Sequence, residues 1–230
     1  MRLGLAVPLL DEEALVEEVA RGLVRALDGA GVDFALALVD NGSRDGTGAK
    51  VDALAAADPR ILAVHLSPNR GYGGGILAGL RALEARTRPE VLGWCWGDGQ
   101  VDPAVIPALL QACAGGAMLA KARRVERQDG LQRRVVTRGY ALALRALGVR
   151  TPDVNGCPKL LRREAWEALA PRHEDWFLDA EVVLGCEARG WAIADAPVVM
   201  RPRRAGRSKV RLGTVLEFAW NLGRWRVGGC

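Results

Sequence analysis

The chain has 230 residues, of which half are apolar, so a core of ordinary size can form and intrinsic disorder is excluded. Its 32 basic and 27 acidic side chains give a net charge of +5, which does not imply a nucleic-acid partner, and none is expected. Five scattered cysteines without a CxxC pair suggest neither a zinc site nor a disulfide framework, so we expect a cytoplasmic protein.

Short apolar runs alternate with amphipathic stretches along the first half of the chain. In chain order they predict strands over 3–8, 34–39, 61–66, 91–96 and 117–120, with helices over 12–27, 47–57, 74–86 and 103–113 between them. This alternation predicts parallel βαβ units, and the nearly continuous apolar strands predict a sheet covered on both faces. We therefore expect a single α/β domain whose binding face lies at the carboxyl ends of the strands.

The second half is less regular. It predicts helices over 131–147, 176–189 and 212–225 and a strand over 191–199. The N-terminal apolar stretch is too short and too soon followed by charge for a signal peptide, and no apolar run approaches the roughly 20 residues of a membrane span.

Polar and acidic loops follow three of the first four predicted strands, over 8–13, 40–47 and 97–103. Parallel strands bring such loops to one edge, where carboxylates repel each other unless a cation or hydrogen-bond donors lie between them. A nucleoside diphosphate held with Mg²⁺ or Mn²⁺ supplies both.

Several of these acids also have structural interpretations. Asp102 precedes a proline and is expected to be a helix N-cap, and Asp45 or Thr47 can cap the helix after the second strand. Asp40 and Asp98, at strand ends, have no such evident role, which favours function.

Glycines at 73–75 fit a relaxed dinucleotide fingerprint, which would indicate an NAD-type dehydrogenase. They follow the third strand rather than the first, so we favour close packing of a helix on a strand. His65 lies within an apolar run and is expected to pack in the core, whereas Trp94 and Trp96 fit either a core or a substrate platform.

Six segments in series carry a resemblance to a known family. They are 39–47, 69–73, 98–103, 155–163, 179–181 and 203–209. Together they resemble family 2 glycosyltransferases, in the form found in polyprenyl-phosphate (dolichyl-phosphate) mannosyl- and glucosyltransferases.

The resemblance implies a GT-A-type, Rossmann-like, mostly parallel sheet with helices on both faces, and an inverting transfer from a UDP- or GDP-linked sugar. It implies that the nucleotide sugar contacts Pro8, Leu10, Glu12, Asp40, Gly97 and Asp98. Asp98 and Gln100 would reach a Mg²⁺ or Mn²⁺ ion, and Arg123, Arg203 and Lys209 would bind phosphate. Asp98, Asp179 and Glu181 are the implied catalytic residues, the last two as candidate bases for a hydroxyl acceptor.

The chain departs from the family pattern at several positions. Trp96 stands where the family has the first acid of an Asp-x-Asp pair, and Asp11 stands in place of an asparagine. Asn41 replaces an acid of the second loop, and Arg207 replaces a residue that is often acidic.

The end of the chain indicates the acceptor. The basic segment 201–211 suits phosphate groups, and the aromatic and arginine side chains of 212–230 suit a membrane interface. We expect a glycosyltransferase domain over 1–211, an amphipathic helix over 212–230, a polyprenyl-phosphate acceptor, and peripheral attachment to the inner membrane face. A homodimer, a membrane partner protein, a hydroxyl acceptor and a non-catalytic nucleotide-sugar-binding module all stay open as alternatives.

Overall fold

The computed structural model describes residues 1–126 and 149–202, together with Arg145 and Asn221. Within this part of the chain, seven strands form one sheet in the order β3-β2-β1-β4-β6-β5-β7. Every neighbouring pair is parallel except the two that involve β6, which runs antiparallel to both β4 and β5. The predicted α/β class with a mostly parallel sheet is therefore confirmed.

The strands are β1 Leu3–Leu9, β2 Phe34–Asp40, β3 Ile61–His65, β4 Val91–Trp94, β5 Leu119–Glu126, β6 Lys159–Arg162 and β7 Ile193–Val199. The helices are α1 Val16–Gly29, α2 Thr47–Ala57, α3 Gly71–Thr87, α4 Ile106–Ala114, α5 Arg163–Leu169 and α6 Leu178–Ala188, and a 3₁₀ turn at Pro103–Val105 precedes α4.

The central strands are buried because helices cover both faces of the sheet. In β2 only the last residue, Asp40, is not fully buried, as expected for a strand without a solvent face. The chain runs from β1 outward to β3 and then returns to β4 on the other side of β1. Since parallel crossovers are right-handed, this reversal places α3 on the face opposite α1 and α2, and opens a crevice between the ends of β1 and β4.

The glycines of α3 allow close packing, as expected. A Cβ on Gly79 would lie 2.7 Å from a methyl of Val39 and 2.9 Å from Cβ of Ala6, so the helix approaches β1 and β2 closely there. A Cβ on Gly73 would lie 2.2 Å from the carbonyl oxygen of His173. These contacts explain the glycines without a dinucleotide.

Several sequence predictions were wrong in detail. The sequence did not predict β6 or α5, and it placed the end of β4 two residues too late and the end of β5 six residues too early. His65 is not a core residue: as the last residue of β3 its side chain is 44% exposed. The helix predicted over 103–113 is divided into a 3₁₀ turn and α4.

Some predicted features lie outside the described residues. They include the helices predicted over 131–147 and 212–225, apart from Arg145 and Asn221, whose backbones are helical. The proposed boundary at 211 lies there as well. Among the helices that the structure describes, none combines the length and apolarity needed to cross a membrane.

Candidate functional site

The loops that follow β1 and β2 are joined by hydrogen bonds between side chains and backbone. The amide of Asp11 donates to Ser43 Oγ at 3.0 Å, and Asp11 Oδ1 accepts from the amide of Arg44 at 2.8 Å. Asp11 has a φ of 50°, in the left-handed region that Asn and Asp adopt more readily than other residues with side chains. An aspartate can therefore replace the family's asparagine at this turn.

Pro8, Leu10 and Glu12, predicted to contact the nucleotide sugar, lie along this same edge. Pro8 is paired with Val39 in the sheet, and Leu10 follows the last residue of β1. Glu12 is buried, and its amide donates to Thr47 Oγ1 at 2.9 Å. The loop after β1 is thus held firmly against the loop after β2.

The hydrogen bonds of Asn41 explain why an amide stands in place of the family's acid. Its Oδ1 accepts from the amide of Arg70 at 3.0 Å, and its Nδ2 donates to the carbonyl oxygen of Gly71 at 2.8 Å. An ionised carboxylate could not donate the second bond. The amide therefore ties the loop after β2 to the start of α3.

Asp40 has a structural role that the sequence did not show. Its Oδ1 accepts from the amide of Ser43 at 2.9 Å, and its Oδ2 lies 3.5 Å from Nδ1 of His65. The other ring nitrogen of His65 lies 2.8 Å from Asp52 Oδ1. The hydrogen bond to Asp52, with a smaller contribution from Asp40, raises the pKa of His65 above its ordinary value.

Asp40 and Gly97 lie on either side of the end of β1. Leu9 is paired with Asp40 on β2, and a Cβ on Gly97 would lie 2.5 Å from Leu9 Cδ2 and 3.0 Å from the carbonyl oxygen of Pro8. The loops after β2 and β4 therefore meet β1 at the same edge, which is the crevice expected at a reversal of strand order.

The loop after β4 is tied to the chain ahead of the basic segment. The amide of Gln100 donates to Asp98 Oδ1 at 3.2 Å, so the two predicted metal ligands are neighbours. Gln100 Nε2 donates to the carbonyl oxygen of Arg201 at 3.0 Å, and the Arg201 amide donates back to the Gln100 carbonyl at 2.8 Å. Arg201 also forms an ion pair with Asp102, whose Oδ1 caps the 3₁₀ turn as predicted.

The donor set at this loop does not fit a divalent ion held chiefly by the protein. Mg²⁺ and Mn²⁺ prefer several oxygen ligands. The loop offers the Asp98 carboxylate and the Gln100 amide oxygen, because its second carboxylate, Asp102, caps the 3₁₀ turn and pairs with Arg201. Trp96 occupies the place of the family's first acid. Within the described residues no three His, Cys, Asp or Glu side chains come together in a way that could hold a metal.

Trp96 instead begins a chain of partly buried hydrogen bonds. Its Nε1 donates to Tyr72 Oη at 3.1 Å, and Tyr72 Oη lies 3.2 Å from Asp179 Oδ2. The ring of Tyr72 stacks on Trp176, with centroids 4.2 Å apart and planes 5° apart. The position where the family carries an acid therefore supports an aromatic cluster that is connected to Asp179, a predicted catalytic residue.

Asp179 is the centre of a buried ion pair. Lys159 Nζ lies 2.5 Å from Asp179 Oδ1, and these side chains are 0% and 3% exposed. Asp179 Oδ1 also accepts from Trp94 Nε1 at 3.2 Å, and Lys159 Nζ donates to the carbonyl oxygen of Gly156 at 2.7 Å. With Tyr72, three donors thus occupy the oxygens of this carboxylate.

Glu181 likewise has its oxygens engaged. It accepts from the amides of Arg172 and His173, each at 3.1 Å, and its Oε2 lies 3.0 Å from His173 Nδ1. This carboxylate holds the loop before α6, next to the glycines of α3.

The predicted phosphate ligands are only partly described. Arg123 forms an ion pair with Asp195 at 2.9 Å near the exposed end of β5. Arg203 and Lys209 lie outside the described residues. The contacts of Arg201 place the chain beside the Asp98 loop two residues before Arg203.

Tyr72 and Lys159 were not among the residues predicted for the site, and Trp94 was left open between a core residue and a substrate platform. Lys159 faces Trp94 across β4 and β6 and faces Lys121 across β6 and β5. The available signal was a lysine inside an apolar run, because a lysine is almost never fully buried unless it has a partner.

A family model described as Glycosyl transferase family 2 matches residues 5–169, well over half of the chain. The chain belongs to this family. The resemblance stated from its sequence segments is therefore confirmed.

Curated relatives of this family 2 chain carry related names. It is 33% identical over 178 residues to an undecaprenyl-phosphate 4-deoxy-4-formamido-L-arabinose transferase of Pseudomonas aeruginosa, a match that covers 76% of this chain. The match covers 51% of that protein, so the chain spans about half the length of this relative. A polyprenol monophosphomannose synthase of Mycolicibacterium smegmatis is 29% identical, with 84% of this chain and 76% of that protein covered.

Solved structures confirm the GT-A-type fold. The glucosyl-3-phosphoglycerate synthase of Mycobacterium tuberculosis, crystallised with Mn²⁺, UDP and phosphoglyceric acid, superposes with a TM-score of 0.72 at 23% identity. The superposition covers 98% of this chain and 78% of that one.

Proposed function

We propose that this family 2 chain transfers a sugar from a UDP- or GDP-linked donor to a polyprenyl phosphate, with inversion at the anomeric carbon. Its relatives are named for undecaprenyl-phosphate and polyprenol substrates, which supports this acceptor class. The donor would lie in the crevice at the end of β1, between Asp40 and Asp98. The chain would act as a peripheral protein at the inner face of the membrane that holds the lipid.

The choice of acceptor rests on Asp179 and Glu181, whose carboxylate oxygens already accept hydrogen bonds within the protein. A hydroxyl acceptor needs a general base to take its proton, whereas a phosphate monoester is already ionised near neutral pH. Asp179 accepts from Lys159, Trp94 and Tyr72, and Glu181 accepts from two backbone amides. Neither is placed to remove a proton, so the arrangement suits an acceptor that brings its own charge.

The reaction would then need little proton transfer. A phosphate oxygen attacks the anomeric carbon, and the bond from that carbon to the diphosphate breaks, so negative charge grows on the leaving group. Basic side chains after Arg201, among them Arg203 and Lys209, would stabilise this charge. Asp98 and Gln100 are the residues that would contact a Mg²⁺ or Mn²⁺ ion arriving with the donor.

The test uses matched acceptors. The purified chain is incubated with a panel of UDP- and GDP-sugars and with either undecaprenyl phosphate or undecaprenol, and lipid products are identified by mass spectrometry. We expect a glycosylated product from the phosphate and none from the alcohol. Product from undecaprenol would assign a hydroxyl acceptor, and nucleotide-sugar binding without turnover on either lipid would assign a non-catalytic module.

A further inference from the structure

Trp96 lies between two polar groups, at the position where the family carries an acid. Its indole nitrogen donates to Tyr72 Oη on one side. On the other side the guanidinium carbon of Arg124 lies 5.6 Å from the centroid of the Trp96 ring, within the range of a cation–π contact. A protein cation therefore stands over the residue that replaces a metal ligand.

Arg124 is held rigidly. Its Nε lies 2.9 Å and 3.1 Å from the two carboxylate oxygens of Asp153, and its Nη2 also bonds to Asp153. The Arg124 amide donates to the same carboxylate at 2.8 Å, and both side chains are 14% exposed. These bonds use Nε and Nη2, and the Nη1 group takes part in none of them.

The end of β4 brings Arg124 close to the Asp98 loop. The buried thiol of Cys157 lies against this end, with Sγ 3.5 Å from the carbonyl oxygen of Trp94. Because Trp96 follows the last residue of β4 by two positions, its contact with Arg124 places the guanidinium beside the start of that loop.

We infer that Arg124 is a phosphate ligand that takes over charge neutralisation at position 96, with Trp96 as its platform. A guanidinium whose Nε edge is fixed by a carboxylate can present its remaining N–H groups to phosphate oxygens. The phosphate is assigned to the donor diphosphate, because Trp96 lies in the chain just before Gly97 and Asp98. Binding of the donor would then depend only weakly on a divalent ion. This inference rests on the proposed function.

The test compares binding of UDP and GDP by calorimetry in EDTA and in Mn²⁺. We expect the wild-type chain to bind one of them in EDTA, within about tenfold of its affinity in Mn²⁺. Arg124→Gln should weaken binding in EDTA by about 10–100-fold, as expected for a lost hydrogen bond to a charged group, and should weaken it less in Mn²⁺. Trp96→Asp should make binding more dependent on Mn²⁺.

Two further variants separate ligand binding from folding. Arg124→Gln combined with Asp153→Asn removes the charge of Asp153 together with that of Arg124, and Asn tolerates the φ of 46° at position 153. Arg60→Gln is the matched control, because Arg60, which directly precedes β3, also binds carboxylates. Its guanidinium carbon lies 4.5 Å from the centroid of the Phe34 ring. In EDTA the double variant should bind the nucleotide as weakly as Arg124→Gln does. The control should bind it as tightly as the wild-type chain does.

Each contrary outcome has a distinct meaning. Wild-type binding only in Mn²⁺, or unchanged binding by the double variant, would overturn this inference and leave the proposed function standing. Farnesyl phosphate, a short polyprenyl phosphate, is titrated in the same way as the probe for the acceptor. If Arg124→Gln binds nucleotide normally but loses binding of farnesyl phosphate, the assignment to the donor is overturned and Arg124 moves to the acceptor. If the wild-type chain binds neither UDP nor GDP in both EDTA and Mn²⁺, the proposed function and this inference are overturned together.

Discussion

Asp179→Asn removes one partner of the buried ion pair beneath the crevice and leaves the charge of Lys159 in the core. The two side chains are 0% and 3% exposed, so solvent cannot compensate the remaining ammonium group. Breaking a buried pair in this way costs about 3–5 kcal/mol, whereas the domain as a whole is stabilised by roughly 5–15 kcal/mol. We therefore expect the variant to fold with a much reduced free energy of unfolding.

Urea unfolding followed by tryptophan fluorescence measures this loss. With a dependence of the unfolding free energy on urea of about 3 kcal/mol/M, the midpoint should fall by about 1–2 M. Lys159→Met combined with Asp179→Asn removes the stranded charge and keeps an acceptor for Trp94, so it should be more stable than Asp179→Asn alone. Glu17→Gln is the surface control, because Glu17 and Arg21 are 44% and 65% exposed and such a pair contributes less than about 1 kcal/mol.

Either of two results would show that the buried charge of Lys159 is not the cause. One is a cost for Asp179→Asn no larger than that of Glu17→Gln. The other is a double variant as unstable as the sum of its two single substitutions, since the stranded charge would then contribute nothing.

Two further predictions concern the loops. His65→Gln should flatten the pH dependence of stability: the raised pKa of His65, due mainly to Asp52, stabilises the fold below about pH 6.5, and this is lost as pH rises through the raised value. Thermal melts at pH 5.5 and 8.5 test this, and parallel profiles for both proteins would contradict it. Gly73→Ala should destabilise by about 1–3 kcal/mol, because its Cβ would lie 2.2 Å from the His173 carbonyl oxygen. Gly29→Ala, with nothing within 4 Å, should not, and equal costs in urea unfolding would count against the packing argument.

The parallel half of the sheet could be predicted because its strands are buried on both faces. Such strands are nearly continuous apolar runs, and 34–39 matched β2 to within one residue. β6 could not be found in this way, since it has four residues and carries a lysine and an arginine among them. His65 was misplaced for a related reason: the apolar run gave no sign that β3 ends at this residue.

The contacts within the candidate site could be predicted only in part. The loops after β1, β2 and β4 could be gathered at one edge from the order of strands and helices alone. The pairing of Asp179 with Lys159 could not be predicted, because Lys159 lies on β6, which is inserted antiparallel between β4 and β5. Asp179 then resembled a free acid, whereas in the structure three donors occupy it.

The register of β6 and the construction of the site depend on the same residues. Lys159 is paired with Trp94 on β4 and with Lys121 on β5, so the buried groups lie at one level across three strands. Burial, with the nearby charge of Lys159, lowers the pKa of Lys121 to about 8, which shows how unfavourable two lysines are there. A shift of β6 by one residue would turn Lys159 to the other face and away from Asp179. Since the carboxylate would then lose its ion pair, the charges that are costly to bury also select the one pairing of β6 in which Lys159 meets Asp179.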